Sequence, residues 1–176
     1  MSYIYSPNLV QGAEPAENEI TWKSEISPLG NILGHRWLTT SDLKHISNPA
    51  CGDLRNRTQS LFFTDFKITN LPTVISGIQL SLQTQRNGRI ADDQIQLIYQ
   101  GQEIGINNFS YITDADGNLP IKNQMTYGSP TDLWGADITA EMLQDSTFGV
   151  ILKFQSHPYF PHSCGMLIDS VLLTIY

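Results

Sequence analysis

Two segments in the last part of the sequence alternate between apolar and polar residues. In the first, the positions predicted to share one face are Phe148, Val150, Leu152 and Phe154. In the second, they are Leu167, Asp169, Val171, Leu173 and Ile175. A period of two is typical of half-buried strands in an antiparallel sheet, because parallel strands covered on both faces form unbroken apolar runs. The alternation therefore predicts antiparallel strands.

The middle of the chain continues this pattern from Leu61 onward. One strand is predicted to place on a single face Phe62, Thr64, Phe66 and Ile68. The next is predicted to align Val74, Ser76, Ile78, Leu80 and Leu82. A returning strand would carry Ile95, Leu97 and Tyr99. Between the last two lies Asn87-Gly88, a pair that accepts the positive φ angles of a type I′ turn and so predicts a hairpin.

About seven or eight short strands at this spacing favour an all-β protein, an antiparallel β-sandwich resembling a jelly roll. One or two short helical turns are expected beside the strands. One would follow Ser41, and the other would begin near Thr139 with Asp137 or Thr139 as its cap.

Residues 1–20 have no sustained period and are interpreted as an extended arm, with a short strand at Tyr3-Ile4-Tyr5. Residues 21–176 are interpreted as a single β-sandwich domain. The arm has two possible positions, on a neighbouring subunit or on its own sheet, and the sequence does not separate them.

The charge distribution narrows the classes of partner. The chain has 10 Lys and Arg residues against 17 Asp and Glu residues, for a formal net charge of −7. The basic side chains are scattered, which argues against nucleic-acid binding through phosphate contacts.

The first residues have neither a basic start nor a long apolar run, so we expect no secretory signal and no membrane span. Cys51 and Cys164 are expected to be reduced and packed as small apolar groups. The alternative, a disulfide between them, would require their Cβ atoms to lie within about 4.5 Å, which the sequence does not show.

Candidate chemistry is sparse, and the sequence predicts no catalytic residue, no cofactor and no metal site. The segment 114–118 (DADGN) resembles the start of a calcium loop, but it lacks the distal ligands and is interpreted as a turn. His157, His162 and Cys164 would supply too few zinc ligands. Asp92 and Asp93 are adjacent in a strand and should point to opposite faces, so they should not share a substrate.

The segment 156–162 (SHPYFPH) holds Tyr159 and Phe160 between two prolines. Two interpretations of this tip have equal weight. Either the rings form a contact surface for another subunit or a sugar, or they fold back over the end of the sandwich.

Four segments, taken in order, resemble a β-sandwich family of virion structural proteins from tailed bacteriophages. They are residues 66–80 (FKITNLPTVISGIQL), 92–97 (DDQIQL), 127–135 (YGSPTDLWG) with 148–150 (FGV), and 168–176 (IDSVLLTIY). The resemblance extends from about Leu61 to Tyr176. It implies a structural role in a phage particle and brings no catalytic residues with it.

The resemblance leads us to expect a non-enzymatic virion protein of the tail, baseplate, neck or capsid surface, made in the host cytoplasm. It would form a homo-oligomer and contact other virion proteins. The residues expected at the contact surface are Tyr3, Tyr5, Tyr127, Trp134, Tyr159 and Phe160. An alternative is a carbohydrate-binding module that uses exposed aromatic rings to bind host-surface glycans. A polysaccharide hydrolase is a third possibility, but it requires two facing carboxylates.

Overall fold

A computed structural model describes most of the chain. The ranges that it describes are residues 2–14, 16, 19–20, 22–26, 35–39, 57–87, 90–110, 124–156 and 165–176. Within these ranges, no helix has the length and apolar character needed to cross a membrane.

Strands dominate the described residues. They are β1 (Tyr3–Tyr5), β2 (Leu9–Gly12), β3 (Glu19–Ile20), β4 (Trp22–Ile26), β5 (His35–Thr39), β6 (Arg57–Thr58), β7 (Leu61–Thr64), β8 (Ile78–Asn87), β9 (Ile90–Tyr99), β10 (Gln102–Ile104), β11 (Gln124–Gly128), β12 (Gly149–Ser156) and β13 (Gly165–Ile175). One short helix, α1, spans Ala140–Gln144, and the Thr139 hydroxyl caps it by accepting a 3.2 Å bond from the Met142 N–H. The prediction of a helical turn capped at Thr139 is confirmed.

The strands form two sheets. Sheet I has the order β11-β8-β13-β5-β4, and β1 also pairs with β13. Sheet II has the order β10-β9-β12-β6-β3, and β7 joins β12 to β2. All strand pairs are antiparallel except β3 with β6. The predicted class, an all-β antiparallel sandwich, is confirmed.

The core lies between the sheets and is built from alternate residues of their long strands. Its fully buried side chains include Leu61, Phe63, Ile78, Leu80, Leu82, Ile95, Leu97, Trp134, Val150, Leu152, Phe154, Leu173 and Ile175. Phe148 and Val171 are also almost completely buried. The apolar face predicted for β12 is thus confirmed in full. In the described part of β13, Asp169, Val171, Leu173 and Ile175 are buried as predicted.

The register of β13 departs from simple alternation near its middle. The pairing with β8 shifts between Ile168 and Ser170, so that Asp169 lies at an irregularity in the ladder. Ile168 is consequently buried alongside Val171, although strict alternation would place it on the opposite face. An extra residue in one strand reverses the faces on either side of it.

The predicted face of β7 is wrong. Leu61 and Phe63 are its buried residues, whereas Phe62 and Thr64 are partly exposed on the outer face of sheet II. The strand ends at Thr64 because Asp65 adopts a positive φ of 56°. This conformation interrupts the alternation, so Phe66 enters the core even though Phe62 does not.

The predicted hairpin at Asn87-Gly88 is also wrong. The strand before it, β8, lies in sheet I between β11 and β13, while β9 lies in sheet II between β10 and β12. The two strands therefore belong to different sheets and do not pair with each other. The preceding strand starts at Ile78, later than predicted, and Val74 is 74% exposed outside it.

The N-terminal segment pairs with the chain's own sheets. Tyr3 lies opposite Ile175 in sheet I, and Leu9 lies opposite Thr64 in sheet II. Of the two positions considered for this arm, the structure shows the one on its own sandwich.

Candidate functional site: a trough on the outer face of sheet II

An open concavity of about 730 Å³ lies on the outer face of sheet II. We call it the trough. Its lining residues are Leu9, Gln11, Gly12, Ala13, Glu14, Phe62, Thr64, Asp65, Lys67, Ile98, Gly101, Ser146 and Thr147. Cavities that bind small molecules usually have volumes of about 300–1,000 Å³ and combine an apolar lining with a few polar groups. The trough has both properties.

Gly149 lies between two strands that contribute residues to the trough. In the ladder it lies opposite Thr64 on one side and Ile98 on the other, and both of those residues line the trough. A Cβ atom at position 149 would come within 2.0 Å of the Phe63 carbonyl oxygen. Glycine is therefore required by a close backbone approach, which is a common reason for glycine inside a strand, and it leaves no side chain above the sheet.

The apolar part of the trough comes from three strands. Phe62 of β7 faces outward, Leu9 of β2 is 52% exposed, and Ile98 of β9 lies beyond the glycine. Phe62 provides an aromatic ring in this lining. The alternation predicts that Phe62 shares a face with Phe66 and Ile68, but the apolar run at residues 61–63 is compatible with either face.

The polar part includes an ion pair that follows β7. The Lys67 ammonium lies 2.9 Å from the Asp65 carboxylate, with the lysine side chain 67% exposed and the aspartate side chain 22% exposed. A third charged residue of the trough is Glu14. The lining thus carries two acidic groups and one basic group, which is already paired.

Thr147 contributes a hydroxyl group to the lining of the trough. Its hydroxyl donates a 2.8 Å bond to Asp145 and accepts a 3.2 Å bond from the backbone N–H of Gln100. The backbone N–H of Thr147 donates to the same Asp145 oxygen at 2.8 Å. These bonds lower the pKa of the Asp145 carboxyl, the backbone bond most strongly. The lining of the trough therefore includes a hydroxyl group that is held in place by hydrogen bonds.

A second charged cluster lies further along sheet II. Lys153 of β12 forms an ion pair and hydrogen bond with Glu19 of β3, and both side chains are mostly shielded. Burial opposes ionisation of Glu19, but the bonds from Lys153 and from the Ala16 backbone N–H outweigh it, so the pKa of Glu19 lies below its usual value. This pair links β3 to β12 across the intervening strand β6.

Two residues predicted at the contact surface lie in the core instead. Trp134 is fully buried, and its indole Nε1 donates a 2.9 Å bond to the Ile78 carbonyl. Tyr127 is 5% exposed, and its hydroxyl donates a 2.9 Å bond to Asp92. The prediction that these rings form an exposed stacking surface is wrong, because both are packed between the sheets.

Tyr3 and Tyr5 are partly buried in β1. The Tyr5 hydroxyl donates to the Asn70 carbonyl and accepts a 3.2 Å bond from the Asn70 backbone N–H. Burial raises the pKa of the Tyr5 hydroxyl. Neither tyrosine lines the trough. Tyr159 and Phe160 lie outside the described residues, so their predicted role stays a prediction.

The described residues show no paired carboxylates facing a cleft. Asp92 is 1% exposed and accepts bonds from Tyr127 and, at 3.1 Å, from the Ser110 backbone N–H. Asp93 instead lies 3.3 Å from Arg57 at a shift in the register of β9 and β12. Among these residues no group of three metal-binding side chains occurs. The segment 114–118 and the residues Cys51, His157, His162 and Cys164 lie outside the described part.

No protein-family model and no curated protein matches the chain. Solved structures with a similar course of the backbone include the first family 27 carbohydrate-binding module of Caldicellulosiruptor saccharolyticus in complex with mannohexaose. The sequence identity between that module and this chain is 9%, the TM-score is 0.42, and the match covers 97% of this chain and 96% of that one. A family 4 carbohydrate-binding module has 10% identity and a TM-score of 0.41, with 98% and 94% covered. The xylan-binding family 22 module from Xyn10C of Paenibacillus barcinonensis has 8% identity and a TM-score of 0.40, with 98% and 92% covered. Similarity at this level carries no argument about function, which must come from the site itself.

Proposed function

We propose that the chain is a non-enzymatic binding protein that holds a neutral carbohydrate chain in the trough. The observation that supports this proposal is the combination of an outward-facing aromatic ring, Phe62, with a surrounding set of hydroxyl, amide and charged groups. A sugar ring has an apolar face of C–H bonds and an equator of hydroxyl groups. It therefore needs an apolar platform and several hydrogen-bonding partners at once.

The charges of the trough favour a neutral ligand over an acidic one. Its one lysine is paired with Asp65, and Glu14 adds a second negative charge. The whole chain carries a formal net charge of −7. A polyanionic sugar would be repelled, since no unpaired cation lines the described part of the trough. Uncharged hydroxyl groups meet no such barrier.

Isothermal titration of the protein with mannohexaose, cellohexaose and xylohexaose tests the proposal. We expect at least one of these neutral hexasaccharides to bind with a dissociation constant in the range of about 1 μM to 1 mM. Phe62→Ala should weaken that binding by about tenfold or more, because burying a phenylalanine side chain is typically worth about 1.5–3 kcal/mol.

Phe109→Ala is the matched control. Phe109 is 51% exposed and does not line the trough, so the same truncation there should leave the affinity unchanged. Unfolding midpoints of both variants establish that they are folded. If none of the three hexasaccharides binds, and a broad glycan array is also negative, the proposal is wrong.

A virion structural subunit is the second candidate function. The observation that favours it is a set of large apolar side chains that are at least half exposed, namely Ile4, Leu9, Val74, Ile106 and Phe109. Where such side chains form a contiguous patch, they mark an interaction site. Because β1 and β2 pair within their own chain, contacts between subunits would come from these side chains. The comparisons with known proteins add no support for this candidate.

Analytical ultracentrifugation tests the second candidate. An assembling subunit should form oligomers at about 100 μM, and replacing Ile106 and Phe109 together by serine should shift it toward monomer. A wild-type protein that stays monomeric at this concentration, and is absent from purified particles by mass spectrometry, would exclude this function.

A further inference from the structure

Two residues at the trough have an unusual backbone conformation. Asp65 and Lys67 have φ angles of 56° and 51°, in the left-handed region that side-chain-bearing residues rarely adopt. Phe66 lies between them and is 3% exposed. Such conformations persist where the surroundings fix them, and they concentrate at binding sites.

The surroundings of Asp65 hold its backbone from both sides. Its carbonyl oxygen accepts a 3.1 Å bond from the Asn8 backbone N–H and a 2.9 Å bond from the Asn8 side-chain amide. Its own N–H donates a 3.0 Å bond to the Ser146 carbonyl. Phe66 and Ile68, both 3% exposed, anchor the following residues in the core. The conformation is therefore fixed before any ligand arrives.

This conformation brings the two charged groups together at the trough. Their separation is 2.9 Å, yet neither group is saturated by the other. An ammonium group has three N–H donors, and a carboxylate has about four acceptor sites, so each keeps capacity for further bonds. A charged donor and a charged acceptor thus lie side by side, on a segment whose backbone is held in place at Asp65.

We propose that Asp65 and Lys67 form a polar clamp that binds two adjacent hydroxyl groups of the sugar. This inference rests on the proposed function. The Asp65 carboxylate accepts the O–H of one hydroxyl, and the Lys67 ammonium donates to the oxygen of its neighbour. Bonds to charged groups are stronger than neutral ones, and groups already in place lose little freedom on binding. The clamp makes Asp65 and Lys67 the residues that determine specificity, while Phe62 supplies the platform.

Titration of the hexasaccharide that binds the wild-type protein, whichever of mannohexaose, cellohexaose and xylohexaose it is, tests the clamp. We expect Asp65→Asn and Lys67→Met each to weaken binding by about tenfold or more, because each removes a charge-assisted bond. The affinity of the double variant should fall by a smaller factor than the product of the two single-variant factors, since both residues act on the same pair of hydroxyls.

Glycine variants separate ligand binding from a purely structural role. Asp65→Gly and Lys67→Gly relieve the left-handed conformation, so their thermal unfolding midpoints should be no lower than that of the wild type. Their affinity for the hexasaccharide should nevertheless fall by about tenfold. A pair that only stabilises the fold would show the reverse, with a lower midpoint and unchanged affinity.

The clamp and the proposed function fail in different ways. If Phe62→Ala abolishes binding while Asp65→Asn and Lys67→Met leave it unchanged, the clamp is wrong and the trough remains the binding site. If the wild-type protein binds no glycan, both are wrong.

Discussion

The indole Nε1 of Trp134 donates a 2.9 Å hydrogen bond to the backbone carbonyl of Ile78, the first residue of β8. The Ile78 N–H in turn donates a 2.9 Å bond to the Asp132 carbonyl. The loop before α1 is thus bonded to both backbone groups at the start of β8. Trp134, which is fully buried, therefore acts as part of the core although it lies in a loop with a positive φ of 59°.

Trp134→Ala should lower the free energy of unfolding by about 3–5 kcal/mol, because a large buried side chain is replaced by a cavity. Trp134→Phe keeps most of the apolar volume and loses the indole donor, and it should cost about 1–3 kcal/mol. Urea unfolding, followed by circular dichroism, measures the free energy of unfolding of both variants. Phe109→Ala, an exposed aromatic truncation, should change the value by less than about 0.5 kcal/mol. Equal effects of Trp134→Ala and Phe109→Ala would contradict the central position of the indole.

Gly149→Ala should destabilise the protein by about 1–3 kcal/mol, because the added methyl group meets the Phe63 carbonyl and forces the strands apart. Gly101→Ala is the matched control. Gly101 has a positive φ of 75°, but a Cβ atom added there would meet no other group within 4 Å, so only the backbone preference opposes the change. Thermal unfolding of the two variants should rank Gly149→Ala as the less stable one. The opposite order would show that the close approach is not what selects glycine.

Gln100→Asn should stabilise the β9–β10 hairpin by about 0.5 kcal/mol. Gln100 and Gly101 both have positive φ, at 52° and 75°, as a type I′ turn requires, and Asn-Gly suits that turn better than Gln-Gly. Gln102→Asn makes the same change within strand β10, where asparagine is disfavoured. This variant should therefore be less stable than the wild-type protein. Chemical unfolding curves of the two variants give the comparison. A stabilising effect of both would point to a cause other than turn geometry.

The ion pair between Glu19 and Lys153 should make stability depend on pH. The pKa of Glu19 is lower in the folded protein, so its contribution is present above the unfolded-state pKa of about 4.3 and is lost as the pH falls through the lower folded value. The free energy of unfolding should therefore decrease as the pH is lowered from about 5 toward 3. Glu19→Gln removes the titrating group, and unfolding midpoints of this variant should fall less steeply over the same range. Parallel curves for the two proteins would contradict the role of Glu19.

The sequence was sufficient where one face of a strand is fully covered. The alternation through Val150, Leu152 and Phe154 predicted both the strand and its buried face, since only one register buries all the large side chains. It was insufficient where pairing partners had to be chosen. Asn87-Gly88 favours a local hairpin, but β8 pairs with β11 and β13, while β9 pairs with β10 and β12 in the other sheet. Tertiary pairing therefore overrode the turn preference.

The trough could not be predicted from the sequence for a related reason. Phe62 lies between Leu61 and Phe63, and a run of three apolar residues gives no sign of which one faces outward. The positive φ of Asp65 and Lys67 depends on bonds from Asn8 and Ser146, which lie in other parts of the chain. The glycine at position 149 was the one available signal, because glycine inside a strand indicates a close approach.

The pairing of β1 with the end of β13 has a consequence for how the protein folds. Tyr3 and Ile175, neighbours in sheet I, come from opposite ends of the chain, so their contact forms only after a very long loop has closed. Sandwiches dominated by such distant contacts fold in milliseconds to seconds, far more slowly than helical bundles. We therefore expect sheet I to be completed late, and strand β1 to be the last element to join it.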